Sequence, residues 1–261
     1  MYEKDIQKAL SDLPLGSLRY FDHIGSTNDV ALSWASEGAE DLSLVIANEQ
    51  TSGRGRAGRH WYTPAGSALA FSLILRPSRE EKGRLSFYAG LGALGLVQAI
   101  HQDYDLAALI KWPNDILLQG RKLAGILVEA VWLGEEIESV VLGMGVNVLT
   151  ASVPPAEKLD FPAISLEEAL KQPVKRHSLL YNLLKQIITW RPRLARREFL
   201  AAWEESLAYR GELVQVWSGA AAPLTGELLG LEPDGGLRLR SPAGNLFSIR
   251  YGEVRLRLVK V

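Results

Sequence analysis

Apolar residues Ile6, Ala9, Leu10 and Leu13 give the segment Met1 to Leu13 a roughly helical spacing, in a stretch too short for a helix-turn-helix module. Leu18 to Phe21 reads as a short strand, and Ser26-Thr27-Asn28 opens a helix that runs to about Glu37. Leu44 to Ala47 and Ala68 to Leu75 are strands, the second alternating Leu69, Phe71, Leu73 and Leu75 with smaller partners. From Gly83 to about Tyr104 the spacing predicts a buried helix despite its glycines. Leu109 to Leu118 and Lys122 to Trp132 read as strands joined by the tight Gln119-Gly120-Arg121 turn, with a further strand from Ile137 to Val148. Ser165 and Glu168 form a capping-box pattern before a short helix; longer helices follow from about His177 to Trp190 and from Arg193 to Tyr209. Beyond Arg210-Gly211 the pattern changes. Five short strands, Leu213–Trp217, Leu224–Leu231, Gly236–Arg240, Leu246–Arg250 and Val254–Val259, alternate with turn clusters, which predicts a small β-barrel.

Composition narrows the class. The chain has 261 residues, enough for one sizeable domain or two smaller ones, with the apolar and charged content of an ordinary soluble protein. The 29 basic and 30 acidic residues leave a net charge of −1, so any cationic function has to be local. No apolar run approaches the roughly 20 residues of a membrane span. The N-terminus, which mixes Lys, Glu and Asp with apolar residues, does not read as a secretory signal. With no cysteine there are no disulfides, thiolate metal sites or thiol nucleophile. A cytoplasmic protein is expected.

The local cations concentrate in Asn48–Pro64. Gly53-Arg54-Gly55-Arg56-Ala57-Gly58-Arg59-His60-Trp61, after Gln50, cannot bury a core and suits a polyanion. Glycines allow close backbone approach, and guanidinium forks match carboxylate and phosphate oxygens. The bland alternative is a solvated loop, against which Trp61 argues, because an indole at its end needs a ligand ring or an apolar surface to cover. Ser26-Thr27-Asn28 is either a helix cap or a polar head-group pocket. In Lys111-Trp112-Pro113-Asn114-Asp115, Pro113 belongs at an edge or a bend, and Lys111 either points into a site or snorkels. A two-residue turn at Gln119-Gly120 pairs Leu117 with Lys122 and puts Asp115 diagonally across, about 7 Å away on the same face. Lys111 reaches that place only if the chain bends at Pro113. Glycines in Gly143-Met144-Gly145-Val146-Asn147-Val148 mark a bulge or the close approach of a ligand, and Asn147 either reads a base edge or is a ladder residue. His23, His60, His101 and His177 lack metal-ligand spacing, and no residue is assigned to a metal.

Taken together and in order, these segments, with Gly120-Arg121-Lys122-Leu123-Ala124-Gly125-Ile126-Leu127-Val128-Glu129, resemble the biotin–protein ligase family over nearly the whole chain. The resemblance implies an α+β catalytic domain with a mixed sheet over residues 1–210 and an SH3-like barrel over 211–261. It implies a two-step reaction: biotin's carboxylate attacks the α-phosphate of ATP, giving biotinyl-5′-adenylate and pyrophosphate, and the adenylate then acylates a lysine of a biotin carboxyl carrier protein. By the match, Lys122 holds carboxylate and α-phosphate together, Lys111 assists on the ATP side, and Arg54, Arg56 and Arg59, with Mg²⁺ and the N–H groups around Gly53 and Gly55, neutralise phosphates. Lys122, Lys111 and Arg56 are the expected catalytic residues. Ser26, Thr27, Asn28 and Gln50 would bind the ureido ring, Trp61 would stack on adenine and Asn147 would contact it, while Asn114, Asp115 and Gly125 complete the site. The loop is expected to order around its ligand. Ala57 departs from the family's more basic loop. The catalytic pattern begins by Phe21, so an N-terminal DNA-binding domain and repressor activity are not expected, nor are nucleic-acid or membrane partners; a homodimer through the sheet is compatible with the resemblance. The rival readings are a lipoate or octanoate ligase of related fold and, from another class, a nucleic-acid-binding module.

Overall fold

The computed structural model describes residues 3–218, 222–250 and 254–259. Seven strands form one mixed sheet: β1 (Leu18–Ile24), β2 (Ser43–Gln50), β3 (Ala68–Leu75), β4 (Ala108–Lys111), β5 (Asp115–Leu118), β6 (Arg121–Leu133) and β7 (Glu136–Asn147), in the order β1-β2-β3-β7-β6-β5-β4. The β1–β2 pair is parallel, and the other neighbours in this sheet are antiparallel. Helix α1 (Glu3–Ala9) precedes the sheet; α2 (Thr27–Ser36) follows β1 and α3 (Leu85–Tyr104) follows β3. Beyond β7 come α4 (Leu166–Leu170), α5 (Arg176–Trp190) and α6 (Arg197–Glu205).

Burial on both faces explains why β3 reads as a continuous apolar run. Its alternate residues serve two cores, and all 8 are buried. Ile74, with Val45 and Val141, meets Ala31 and Ala35 of α2 on one face. On the other, Leu73, Leu75 and Leu142 join a core covered by α3 and α5. The glycines of α3 permit that cover. A Cβ at Gly90 would lie 2.7 Å from the Trp203 ring, and one at Gly95 would lie 3.0 Å from Ile187.

Two expected elements differ. The single strand over Leu109 to Leu118 is a hairpin: Trp112-Pro113, joined by a cis peptide, and Asn114 turn β4 back against β5, so that Lys111 faces Asp115 across the pair. The last helix covers only Arg197–Glu205, because a 3₁₀ turn at Arg191–Arg193 precedes it and Leu207 then runs beside β4, with Ile110 bonded to Ser206 and Ala208. The Leu117–Lys122 pairing holds, followed by a register shift between Ile116 and Leu117 that sets Asp115 opposite Gly125. Ser165 caps α4 as the sequence predicts, accepting from the Glu168 N–H.

Strands β8 (Leu213–Ser218), β9 (Leu224–Leu231), β10 (Leu237–Arg240), β11 (Leu246–Ile249) and β12 (Val254–Leu258) make a second, antiparallel sheet in the order β11-β10-β9-β8-β12, which fits the expected SH3-like unit. Its apolar face joins the main core through Val214, Val216 and Leu239. Trp112 donates from Nε1 to the Gly235 carbonyl at 3.0 Å, tying the β4–β5 turn to this sheet.

Candidate active site

A cavity of about 350 Å³ opens where the start of α2, the end of β2, the β4–β5 turn and the middle of β6 and β7 converge. Residues 54–62 of the arginine loop cover it from one side, and residues 152–163 with Leu256 and Arg257 of the second sheet close another. Of the residues predicted for the site, Ser26, Thr27, Asn28, Gln50, Arg54, Gly55, Arg56, Arg59, Trp61, Lys111, Asn114, Asp115, Lys122, Gly125 and Asn147 all line this one space. Gly53 does not. It sits behind the loop, where a side chain would overlap the Trp61 carbonyl and break the Trp61 N–H bond to Gly53 O at 2.8 Å.

At one end lies a buried polar chain. Gln50 Oε1 accepts from the Thr27 N–H at 2.8 Å, and Gln50 Nε2 donates to Thr63 Oγ1 at 3.0 Å. Ser72 Oγ lies 2.8 Å from Thr27 Oγ1 and donates to Asn28 Oδ1 at 2.6 Å. Ser26 occupies the cap position of α2 without a capping bond from its side chain. Its burial, with Thr27 and Asn28, makes this a pocket of small polar groups more than a surface cap.

At the other end are the cations. Lys122 Nζ contacts Asp115 Oδ1 at 2.6 Å and Lys111 Nζ lies 3.8 Å from Asp115 Oδ2. Burial, opposed by Asp115, pushes the Lys111 ammonium down to about 8. Burial would raise Asp115, but Lys122 and Lys111 outweigh it and hold the carboxyl below its usual range. The Phe161 ring lies 4.2 Å from Lys111 Nζ and 5.0 Å from the Arg257 guanidinium carbon.

The loop is drawn in as a hairpin of its own, with bridges Gln50–Thr63 and Arg54–His60 and a left-handed Ala57 (φ 54°) at its tip. Arg56 Nη1 donates to Asn114 Oδ1 at 3.0 Å, and Asn114 in turn donates to the Ile126 carbonyl. Trp61 lies on the sheet beside Gly125 and Gly145; a Cβ at Gly145 would overlap the indole. Its Nε1 is buried without a hydrogen-bond partner. Strand β7 carries no bulge at its glycines: Gly143 pairs with Ser72 and Leu127, Gly145 with Ala70 and Gly125. They make room for Asn28 and Trp61. Asn147 Nδ2 donates to Ile164 O at 3.2 Å and lies 3.5 Å from Lys122 O, so its amide braces the strand that carries Lys122.

Residues 20–147 match the model of the biotin/lipoate A/B protein ligase family. A biotin–[acetyl-CoA-carboxylase] ligase of Paracoccus denitrificans is 37% identical over 229 residues, covering 84% of this chain and 92% of that protein. The chain belongs to this family. Within the ligase family it is also 35% identical to the bifunctional ligase/repressor BirA of Bacillus spizizenii, over 70% of this chain and 56% of that protein; it thus spans about half the length of that relative. A biotin protein ligase from Aquifex aeolicus, solved in complex with biotin and ATP, superposes with a TM-score of 0.80 at 28% identity, covering 93% of this chain and 99% of the other.

Sequence reasoning missed several residues of this ligase-family site. Ser72, Phe161 and Arg257 sit in segments with no motif-like spacing, and only the fold brings them in. Asp29, next to the Ser-Thr-Asn run, contacts Arg54 at 2.8 Å.

Proposed function

We propose that this chain is an ATP-dependent biotin ligase that forms biotinyl-5′-adenylate and transfers the biotinyl group to a lysine of a biotin carboxyl carrier protein domain. One observation carries the reading: a small-polar pocket and a cluster of buried or enclosed cations share one cavity. Two anionic reactants repel each other, and cations preset between them stabilise the negative charge that grows at phosphorus. The neutral head of biotin suits Thr27, Asn28 and Gln50, and its carboxylate then points toward Lys122. The biotin carboxylate oxygen bonds to the α-phosphorus as the bond to the bridging oxygen breaks, and pyrophosphate departs with that electron pair. In the second step a neutral lysine amine attacks the acyl carbon, AMP leaves with the electron pair of the acyl–oxygen bond, and the amine's proton is released to solvent.

In this reading Lys122 binds the carboxylate and the α-phosphate, Lys111 with Arg56 and Arg59 receives the phosphates, and Trp61 and Asn147 flank the base. Among the described residues no three His, Asp or Glu side chains gather as a metal site, so magnesium would arrive on the nucleotide's phosphates. Residues 1–210 would act as the catalytic domain, and 211–261 would supply Arg257 to the nucleotide side. No helix among the described residues is long and apolar enough to cross a membrane, and we place the protein in the cytoplasm, with a homodimer through the sheet compatible with the family likeness. A lipoate ligase or a nucleic-acid-binding module is less well supported, since these cations converge on one cavity instead of spreading over a broad basic surface. ATP–pyrophosphate exchange with biotin, against lipoate, together with mass spectrometry of an acceptor domain after incubation with biotin and MgATP, tests the proposal. Exchange with lipoate alone, or an unmodified acceptor, overturns it.

A further inference from the structure

Glu129 lies on β6, outside the residues lining the cavity, yet both its oxygens are engaged with residues that do line it. Oε1 accepts from Arg54 Nη1 at 3.0 Å, and Oε2 accepts from Arg54 Nη2 at 2.6 Å and from Asn28 Nδ2 at 2.8 Å. We propose that Glu129 is a positioning residue: by holding the arginine loop and the polar pocket on one carboxylate, it sets loop closure and head-group recognition together.

Three features support this over an incidental surface pair. First, the contact is bidentate, the geometry in which a guanidinium gains most in energy and direction. An isolated exposed ion pair contributes little, and Arg54 is 37% exposed, so geometry matters here. Second, Asn28 is buried, and without Glu129 its donor is left with only the Leu127 carbonyl at 3.4 Å. Third, the chain continues through the Ser72 hydroxyl to that of Thr27, whose N–H donates to Gln50, so Glu129 ends an unbroken run of hydrogen bonds from the pocket floor.

A consequence concerns Arg54 itself. Its fork is filled by Glu129, and Asp29 adds a second carboxylate at 2.8 Å. Its charge is compensated at home. Arg54 therefore pins the loop, and in the proposed reaction Arg56, Arg59, Lys111 and Lys122 meet the phosphates.

The assignment of substrates rests on the biotin-ligase reading, whereas the pinning does not, and two measurements separate them. Trypsin cleavage of the ligand-free loop, after Arg56 and Arg59, is expected to run about tenfold faster in Glu129→Gln than in wild type, because closure is weakened without unfolding. In ATP–pyrophosphate exchange, Glu129→Gln and Arg54→Gln are each expected to raise the biotin KM about tenfold and, because the same loop carries Arg56 and Arg59, to raise the ATP KM with it, with kcat within about threefold, as a lost ground-state contact should. The double variant should resemble Arg54→Gln, since both remove one shared contact. Wild-type cleavage of the loop in Glu129→Gln, a wild-type biotin KM, or single effects that multiply in the double variant would each overturn the proposal. A purely structural Glu129 would lower Tm and leave both KM values unmoved, which also counts against it. If wild type shows no exchange with biotin while Glu129→Gln still opens the loop, the substrate assignment falls and the pinning stands.

Discussion

Lys111→Met offers the sharpest test of the electrostatics, because it should stabilise the fold while harming the reaction. The lysine side chain is only 5% exposed, and burial takes its ammonium from 10.5 down to about 8 despite Asp115 nearby. A shift of this size means that holding the charge at pH 7 costs about 3 kcal/mol. The Phe161 ring beneath the ammonium returns about 1–2 kcal/mol. Methionine fills a similar volume without charge, so unfolding at pH 7 should become harder by about 1–2 kcal/mol. The pH dependence has a definite sign. Between about 8 and 10.5 the unfolded chain keeps a proton that the folded chain has released, so the wild type gains stability as pH rises through that window. The advantage of Lys111→Met should thus be largest at pH 7 and mostly gone near pH 10. Urea unfolding at both pH values, with a common m, reads the difference directly. Exchange activity at saturating biotin should meanwhile drop by about a hundredfold or more, the scale of losing one charge-stabilising group. A variant less stable than wild type at pH 7, or a stability gap independent of pH, would refute the reasoning.

Three further expectations follow from the same geometry. Lys122→Ala should cut adenylate formation by about a thousandfold with native circular dichroism, because Asp115 keeps Lys111 as its counter-ion; wild-type exchange rates would remove Lys122 from the mechanism. Because a bound polyanion restores the charge on Lys111, ATP binding near pH 8 should take up about half a proton, measurable by calorimetry in buffers of different ionisation enthalpy and absent in Lys111→Met. Gly145→Ala should push the indole of Trp61 off the sheet and raise the ATP KM about tenfold with little change in Tm; an unchanged KM would mean that the indole's seat does not matter to the nucleotide.

Much of this was legible in the sequence, for reasons that differ by element. Strand β3 shows as a run of apolar residues because both its faces are covered, and the second sheet shows through its spaced turns, whose strand limits agree within a residue or two. The Leu117–Lys122 pairing could be read because a two-residue turn leaves one register. The hairpin at Pro113 could not be read in full: the residue announces a bend, but the direction depends on Trp112 finding Gly235 in the second sheet. The strand glycines misled for a related reason. A gap in a strand shows that something approaches closely, and here it is Asn28 and Trp61 of the same chain. Residues such as Phe161 and Arg257 enter through packing between distant segments, which no local spacing encodes, and Glu129, although it ends a quoted motif, gains its partners Arg54 and Asn28 only through the fold.

Charge balance in the cavity explains why the site is built ahead of its ligands. Asp115 is pressed against two ammonium groups, and Lys111 is further destabilised by Arg257, Lys122 and Arg59. Asp115 and Asp160 line the cavity against Arg56, Arg59, Lys111, Lys122, Lys158 and Arg257, so the ligand-free site holds a positive excess that the surrounding sheets must keep together. The Phe161 ring lies within cation–π range of both the Lys111 ammonium and the Arg257 guanidinium, providing an attraction that water or a second carboxylate could otherwise supply. In the proposed reaction, a carboxylate and a triphosphate would supply the missing negative charge. Each anion that enters relieves strain already present in the fold, so binding and stability are linked: a ligand at a hundred times its Kd should add about 2.7 kcal/mol to unfolding. In the proposed reaction the same excess charge would bring the two anionic reactants together, so a variant that neutralises it should gain stability in isolation and lose the means to join them.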